Sequence, residues 1–288
     1  MHLARAANGI SPLRTFLESY VAHRAGIDHD LVIVLKGFGG TLGEDYAALL
    51  RPVRHTKRHI DDRGFDIDAY FGTARELDYE SYCFLNSFSV IQADEWLGSL
   101  ARAVNLPNVG VVGATGSWQS NWMTYEDPVL VAQARARVWW LRRTVLTMFP
   151  FLRTMKRRLY RRRLRRAFKP FPNHHIRTNA FMVRREVIES IRVPPMRQKF
   201  DAYVFESGRT GLTQQVLAMG RRALVVSQDG GTFEPDDWYL SNTFWRKNQP
   251  NLLVSDNQTR AYDASVGEPR RYYSWLAWGP QADPGPGT

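Results

Sequence analysis

ESYCFLNSFSVIQADEWL, from Glu80 to Leu97, passes from an apolar run through polar residues into a helical pattern, and the rest of the chain arranges itself around it. Tyr82, Cys83, Phe84 and Leu85 suit a strand covered on both faces, and Asn86, Ser87 and Ser89 follow where such a strand leaves its sheet. Ligands of open α/β sheets collect at that end. Asp94, Glu95, Trp96, Leu97 and Leu100 then start a helix, with acids in its first turn and apolar residues at helical spacing.

Upstream, His2 to Arg5 reads as the tail of a first strand and Asn8-Gly9 as the turn after it. Ser11-Pro12 predicts an N-cap followed by proline at the first helical position. Leu13, Phe16, Leu17, Tyr20 and Val21 form the apolar face of a helix ending near Gly26. LVIVL, Leu31 to Leu35, is a buried strand closed by Lys36-Gly37. A short helix from Asp45 to Leu50 stops at Pro52. The extended HTKRHI segment, a turn through Asp62-Arg63-Gly64-Phe65-Asp66 and a helix from Ile67 to Leu77 lead back to the opening strand. Downstream come a helix from Asp94 to Val104 and the buried strand VGVVG, Val109 to Gly113. Later segments predict a strand over Ile176 to Val183, helices over Arg184 to Ile191 and Thr210 to Met219, and a strand over Ala223 to Ser227. Strands alternating with helices predict an α/β fold with a mainly parallel central sheet flanked by helices.

A chain of 288 residues with 44% hydrophobic and 12% aromatic residues can bury a substantial core, in one large α/β domain or two small ones. The single Cys83 forms no internal disulfide and lies in an apolar strand, which reads as an inert buried thiol and a reducing, cytoplasmic setting. No run of about 18 uncharged apolar residues and no apolar signal segment occur, so neither a spanning helix nor secretion is expected. The net charge of +11 is local: Pro128 to Lys169 holds 14 Lys or Arg and no acid, and removing these leaves the remainder at −3.

The order strand, Asn-Gly turn, helix, LVIVL strand, Gly-Phe-Asp turn, helix, YCFLNS strand, helix from Trp96 resembles the nucleotide-sugar half of GT-A fold glycosyltransferases, especially the large family two. PNHHIRTNAFMVRREVIES is similar to their acceptor-side strand and helix, and FESGRTGLTQQVLAMGRRALVV to their acid-bearing helix and following strand. There is likeness also to bacterial rhamnan and capsule polysaccharide synthesis glycosyltransferases, whose corresponding strand end carries Asn and Ser. The resemblance runs from about Leu3 to Ser227. It implies a Rossmann-like GT-A domain with a donor half over 1–127 and an acceptor half over 170–278, on either side of the basic helical insertion over 128–169; the tail over 279–288, rich in Pro and Gly, is expected to be flexible.

The resemblance further implies a nucleotide-sugar donor, a glycan or lipid-linked acceptor, and inverting transfer with Glu206 as the general base. A carboxylate favouring a helix N-terminus is the other role open to Glu206. Asn8, Lys36, Asp62, Arg63, Asp66, Asn86 and Ser87 fall on the donor side; Asp62, Arg63 and Asp66 are equally ordinary turn residues. Trp118, His175, Arg177, Asn179, Asp237 and Trp238 fall on the acceptor side. Where the family carries Asp-x-Asp this chain has Asn86-Ser87-Phe88, a weak donor set for Mg²⁺ or Mn²⁺. Arg5, Lys36, Arg63, Arg177 or Lys199 would then balance the diphosphate. Adjacent His174 and His175 do not share a strand face and have no Cys or acid cluster near them in sequence, which argues against zinc.

The basic segment, divided at Pro150, combines Trp139, Trp140, Arg142, Arg143, Arg157, Arg158, Arg161 and Arg162. It suits the inner face of an anionic cell membrane, bringing the enzyme to a lipid-linked acceptor. A solvated insertion packed on the main domain is an alternative. Specific nucleic-acid binding has no accompanying motif. The rival function is a non-catalytic GT-A-like protein that binds a glycan or a partner.

Overall fold

The computed structural model of the 288-residue chain describes residues 1–122 and 150–283, with side chains from residue 158 onward in the second segment. In chain order the strands are β1 His2–Arg5, β2 Val32–Lys36, β3 Thr56–Ile60, β4 Ser81–Leu85, β5 Val90–Ile91, β6 Val109–Gly113, β7 Gly116–Ser117, β8 His175–Ile176, β9 Ala180–Arg184, β10 Arg222–Val226, β11 Thr232–Phe233 and β12 Val254–Ser255. The helices are α1 Ser11–Ala22, α2 Glu44–Leu50, α3 Asp66–Arg75, α4 Trp96–Val104, α5 Pro150–Ala167, α6 Arg185–Ser190, α7 Lys199–Ser207, α8 Leu212–Ala218, α9 Asn257–Asp263 and α10 Gly267–Trp278.

Eight strands form one sheet in the order β11-β10-β6-β9-β4-β1-β2-β3. β1, β2, β3, β4, β6 and β10 share one direction, while β9 and β11 run against it. The expected mainly parallel α/β sheet is the architecture found. β2 and β6 are buried along their whole length, as strands covered on both faces must be. The edge strand β3, TKRHI, is mostly exposed and carries Lys57 and Arg58, charges that discourage pairing with another chain. Alternation along β4 divides the core: Tyr82 and Phe84 join α3, α6, α7, α8 and α10 on one face, and Cys83 and Leu85 join α1, α2 and α4 on the other.

Several local expectations are corrected. Ser11 already lies inside α1 and makes no cap; Ile10 precedes the helix, which ends at Ala22, and Val21 is 70% exposed. Asp94 and Glu95 stand outside α4. Glu95 takes a left-handed φ of 59° and its amide donates to the Arg24 carbonyl, while the Asp94 carboxylate accepts from the Arg24 amide. The chain crosses itself tightly here, since a Cβ on Gly98 would come within 2.9 Å of the Gly26 carbonyl oxygen. Pro150 opens α5. Leu164 and the following Phe168 are buried, and the Arg163 guanidinium lies 3.9 Å from the Phe200 ring at the start of α7. The portion before Pro150, with Trp139, Trp140, Arg142 and Arg143, lies outside the described residues, as does the side chain of Arg157. The C-terminal stretch packs as far as Asp283. Gly279 is buried against Phe171, and Arg246 approaches the Asp283 carboxylate at 3.6 Å; residues 284–288 lie outside the described residues.

Candidate active site

Parallel strands deliver their C-terminal residues to one edge of the sheet, and here that edge receives Arg5, Lys36, Ile60 and Leu85. β1 pairs Arg5 with Lys36 but pairs His2 with Leu85, so β1 runs on past the end of β4. Asn86 and Ser87 sit in the notch that is left. The antiparallel β9 begins at the same level, and the Asn86 amide donates to the Asn179 carbonyl at 2.9 Å.

Lys36 is 1% exposed, and its Nζ donates to the carbonyls of Arg63 and Gly64, both at 2.8 Å. Burial pushes this ammonium below its ordinary pKa, Arg5 adds to the effect, and Asp66, Asp62 and Asp68 oppose it. Lys36 therefore clamps the turn that carries Asp62 and Asp66. That turn requires Gly64, with φ at 67°, and ends where the Asp68 carboxylate caps the Phe65 amide at 2.8 Å. Arg5 donates from Nη2 to Asp62 at 3.0 Å, and its Nε is buried without a partner among the described residues. Burial raises the Asp66 carboxyl, while Arg5 and Lys36 pull it back. Beside this turn a recess of about 400 Å³ is lined by Gly37, Gly39, Gly40, His59, Ile60, Asp61 and Asp62.

Glu206 occupies the last turn of α7 rather than a position before a helix. A carboxylate there gains nothing from the helix dipole, so the N-terminal role open to it in the sequence does not apply. Its Oε1 accepts the Thr178 amide at 2.9 Å, and no partner of Oε2 appears among the described residues. Tyr70, on α3, is completely buried with an unpartnered hydroxyl. Burial first, then the charges of Asp66, Cys83 and Glu206, hold that phenol well above its ordinary pKa. His175 is also buried. Its Nδ1–H donates to the Asn173 carbonyl at 2.8 Å, and burial lowers its pKa against the pull of Glu206. The charges of Asp66 and Glu206 thus both reach the buried Tyr70 hydroxyl, and Glu206 also acts on His175.

The notch is short of charge. The Asn86 side-chain oxygen is spent on its own turn, accepting from the Phe88 amide at 2.9 Å and the Ser89 hydroxyl at 3.2 Å. The Ser87 hydroxyl is buried without a partner, and so is Nδ2 of Asn179, whose Oδ1 accepts from Thr115 at 2.8 Å. These two donors are buried without partners among the described residues. They do not suit a hard divalent cation, which needs several anionic oxygens, and among the described residues no group of three His, Cys, Asp or Glu converges anywhere.

On the acceptor side the structure turns most of the expected residues inward. Trp118 donates from its indole to the Pro235 carbonyl at 2.8 Å and lies among Phe171, His174, Tyr239 and Trp278. Trp238 is wholly buried, donates to the Phe233 carbonyl at 3.0 Å and packs on Gly116. Neither indole offers a face to a sugar. Arg177 is paired with Asp256 at 2.7 Å, with side-chain exposures of 6% and 2%, and lies 4.2 Å from the Phe244 ring. Asp237 is exposed on the short helix Pro235–Ser241, and His174 contacts the neighbouring Asp236 at 3.2 Å. Asn8 ends the short helix Ala6–Asn8 after β1, and Arg63 is exposed on the clamped turn. Lys199 stands at the opposite end of α7 from Glu206, 5.4 Å from the Tyr203 ring. Thr178, His59 and Asp61 carry no motif in the sequence that marks them for the site.

No protein-family model matches the chain, and no curated protein sequence matches it. Among solved structures, a mannosyltransferase from Pyrobaculum calidifontis, in complex with GDP-mannose and Mn²⁺, is similar at 12% identity over 96% of this chain and 67% of that one, with a TM-score of 0.44. Glucosyl-3-phosphoglycerate synthase from Mycobacterium tuberculosis, bound to Mn²⁺, UDP and phosphoglyceric acid, is 12% identical over 75% of this chain, with a TM-score of 0.37; the match spans 60% of the synthase. Apo mouse xyloside xylosyltransferase 1 is 12% identical over 84% of this chain and 80% of its own, at a TM-score of 0.35.

Proposed function

We propose that the chain transfers a glycosyl group from a nucleotide-activated sugar to a hydroxyl of a bacterial surface polysaccharide or lipid-linked glycan, with inversion. The observation that carries this reading is the Glu206 carboxylate, held through one oxygen by the Thr178 amide and leaving the other oxygen for a substrate. In the proposed step the acceptor hydroxyl gives its proton to Glu206 as its oxygen bonds to the anomeric carbon. The bond from that carbon to the diphosphate breaks, and its electron pair leaves with the nucleoside diphosphate. The unpaired Nε of Arg5 and the exposed Arg63 of the clamped turn would meet the charge developing on that leaving group. The recess at Gly37–Asp62 would take the nucleoside, with Asp61 and Asp62 accepting from ribose hydroxyls.

The sequence-level resemblance to GT-A glycosyltransferases supports the same reading, and the donor set in the notch favours a route in which protein cations act where related enzymes use a metal. The rival, a non-catalytic glycan- or partner-binding protein, draws on the absence of carboxylates at the end of β4. Incubation with UDP-, GDP- and dTDP-sugars, followed by chromatographic detection of free nucleoside diphosphate, separates the two. One donor should be turned over, and Glu206→Gln, which keeps an acceptor for the Thr178 amide, should slow turnover by about 10²–10⁴-fold without altering the unfolding temperature. A wild-type protein that releases no diphosphate from any donor, while still binding glycans, favours the rival.

A further inference from the structure

We propose that a second cavity, on the other side of the β4 strand end from Glu206, is a binding site for a neutral carbohydrate. The cavity measures about 560 Å³, within the range of about 300–1,000 Å³ usual for small-molecule sites. It lies between the first turn of α1, the β5 strand and residues 248–263. Four segments distant in sequence build it, the fourth contributing Gln228 from the turn after β10. β5 pairs with β12, placing Val90 opposite Ser255, and Arg260 on α9 donates to the Phe88 carbonyl at 3.1 Å, so the C-terminal segment is fastened across the outlet of β4.

The lining chemistry selects the ligand. Pro12, Phe88 and Pro250 supply flat apolar surface. The hydroxyls of Ser11 and Thr15, the Gln228 side-chain amide and the Asn248 Nδ2 make no hydrogen bond among the described residues, so they remain available to a ligand's hydroxyls. The two charges are of opposite sign: Arg260 donates from Nη1 to the Phe88 carbonyl, and Asp263 accepts from Gln249 at 2.9 Å through Oδ1. One charge of each sign leaves the lining with no excess to favour an anion or a cation. Side-chain amides and hydroxyls around small apolar faces, without net charge, match the alternating hydroxyl and C–H surface of a sugar ring. This inference stands on the cavity's own residues. Under glycosyl transfer it would hold a more distant part of the acceptor, which the inward-turned Trp118 and Trp238 cannot.

Saturation-transfer NMR and calorimetry with maltotriose, cellotriose and mannotriose test the site, with trigalacturonic acid as the anionic comparison. At least one neutral trisaccharide should bind at up to about 10 mM. Gln228→Ala with Asn248→Ala removes two exposed side-chain amides and should weaken binding about tenfold, the loss expected for two modest hydrogen bonds; an unchanged unfolding temperature checks that losing the bond from Arg270 to Asn248 leaves the fold intact. Absence of binding by all three, undiminished binding by the double variant, or tighter binding of trigalacturonic acid would each overturn the proposal. Diphosphate release from nucleotide sugars is measured separately. Loss of release with trisaccharide binding intact counts against the transfer reading alone, and the converse counts against this site alone.

Discussion

Replacing Arg177 by Met should cost about 3–5 kcal/mol of folding stability, the range for breaking a buried ion pair by removing one partner. Solvent screening cannot reduce this greatly, because the pair is 2.7 Å apart with side-chain exposures of 6% and 2%. The Asp256 carboxylate left behind keeps two amide partners through Oδ1, Gln258 at 3.0 Å and Thr259 at 2.9 Å, which cap α9. Its Oδ2 loses the guanidinium, and the buried Thr115 hydroxyl loses a donor at 3.3 Å. Contact with the Phe244 ring adds a cation–π contribution of about 0.5–2 kcal/mol, part of which the methionine retains by packing. Against a typical total of about 5–15 kcal/mol, the loss is large. Urea unfolding followed by tryptophan fluorescence measures it, and adding Asp256→Asn to Arg177→Met should recover part of it by removing the stranded charge. A loss under about 1 kcal/mol would refute the reasoning, because it would mean the pair is solvated and Arg177 is free to serve a phosphate instead.

Three further outcomes are expected. His2 is buried against Phe16, with ring centroids 3.8 Å apart and both nitrogens unpartnered, and burial pushes its pKa from 6.5 down to about 3. The folded state therefore holds it neutral; its contribution is intact above pH about 6.5 and is lost at about 1.4 kcal/mol per pH unit as pH falls toward 3. His2→Phe should flatten the fall in urea midpoint between pH 7 and pH 5, and an unchanged slope would contradict this. Burial also pushes the Cys83 thiol up to about 11, so a disulfide reagent at pH 8 should label it only after unfolding; rapid labelling of the native protein would count against the buried strand. Arg158, Arg162 and Arg166 recur at helical spacing on α5 beside Leu159, which is 55% exposed. Replacing all three by Glu should weaken co-sedimentation with phosphatidylglycerol vesicles by a hundredfold or more, at about 1 kcal/mol per basic residue, and equal binding by the variant would remove the membrane reading.

The strands that organise the sheet were legible because LVIVL, YCFL and VGVVG must be covered on both faces, and an apolar run of that length has few other homes. Strand direction was not. β9 runs against both neighbours, and nothing in AFMVR distinguishes an antiparallel strand from a parallel one. The helix bearing Glu206 was missed because KFDAYVFES is only about two and a half turns long and its burial depends on partners far away in sequence. Trp118 and Trp238 fall on the acceptor side in the sequence. Their indole donors are met by the Pro235 and Phe233 carbonyls inside the core, contacts that a local reading cannot reveal. Asn86 was legible as lying at the strand end, but not the commitment of its side-chain oxygen to its own turn. The packing of Gly279 to Asp283 likewise depends on Phe171 and Arg246, both distant in sequence.

The central claim, that protein cations at the ends of β1 and β3 hold a nucleotide sugar without a divalent metal, is tested most directly by calorimetric titration with UDP-, GDP- and dTDP-sugars in EDTA and again in Mn²⁺. One donor should bind saturably in EDTA, with affinity little changed by Mn²⁺ and lost in Arg5→Met. Binding that appears only with Mn²⁺, or that survives Arg5→Met unchanged, would contradict it.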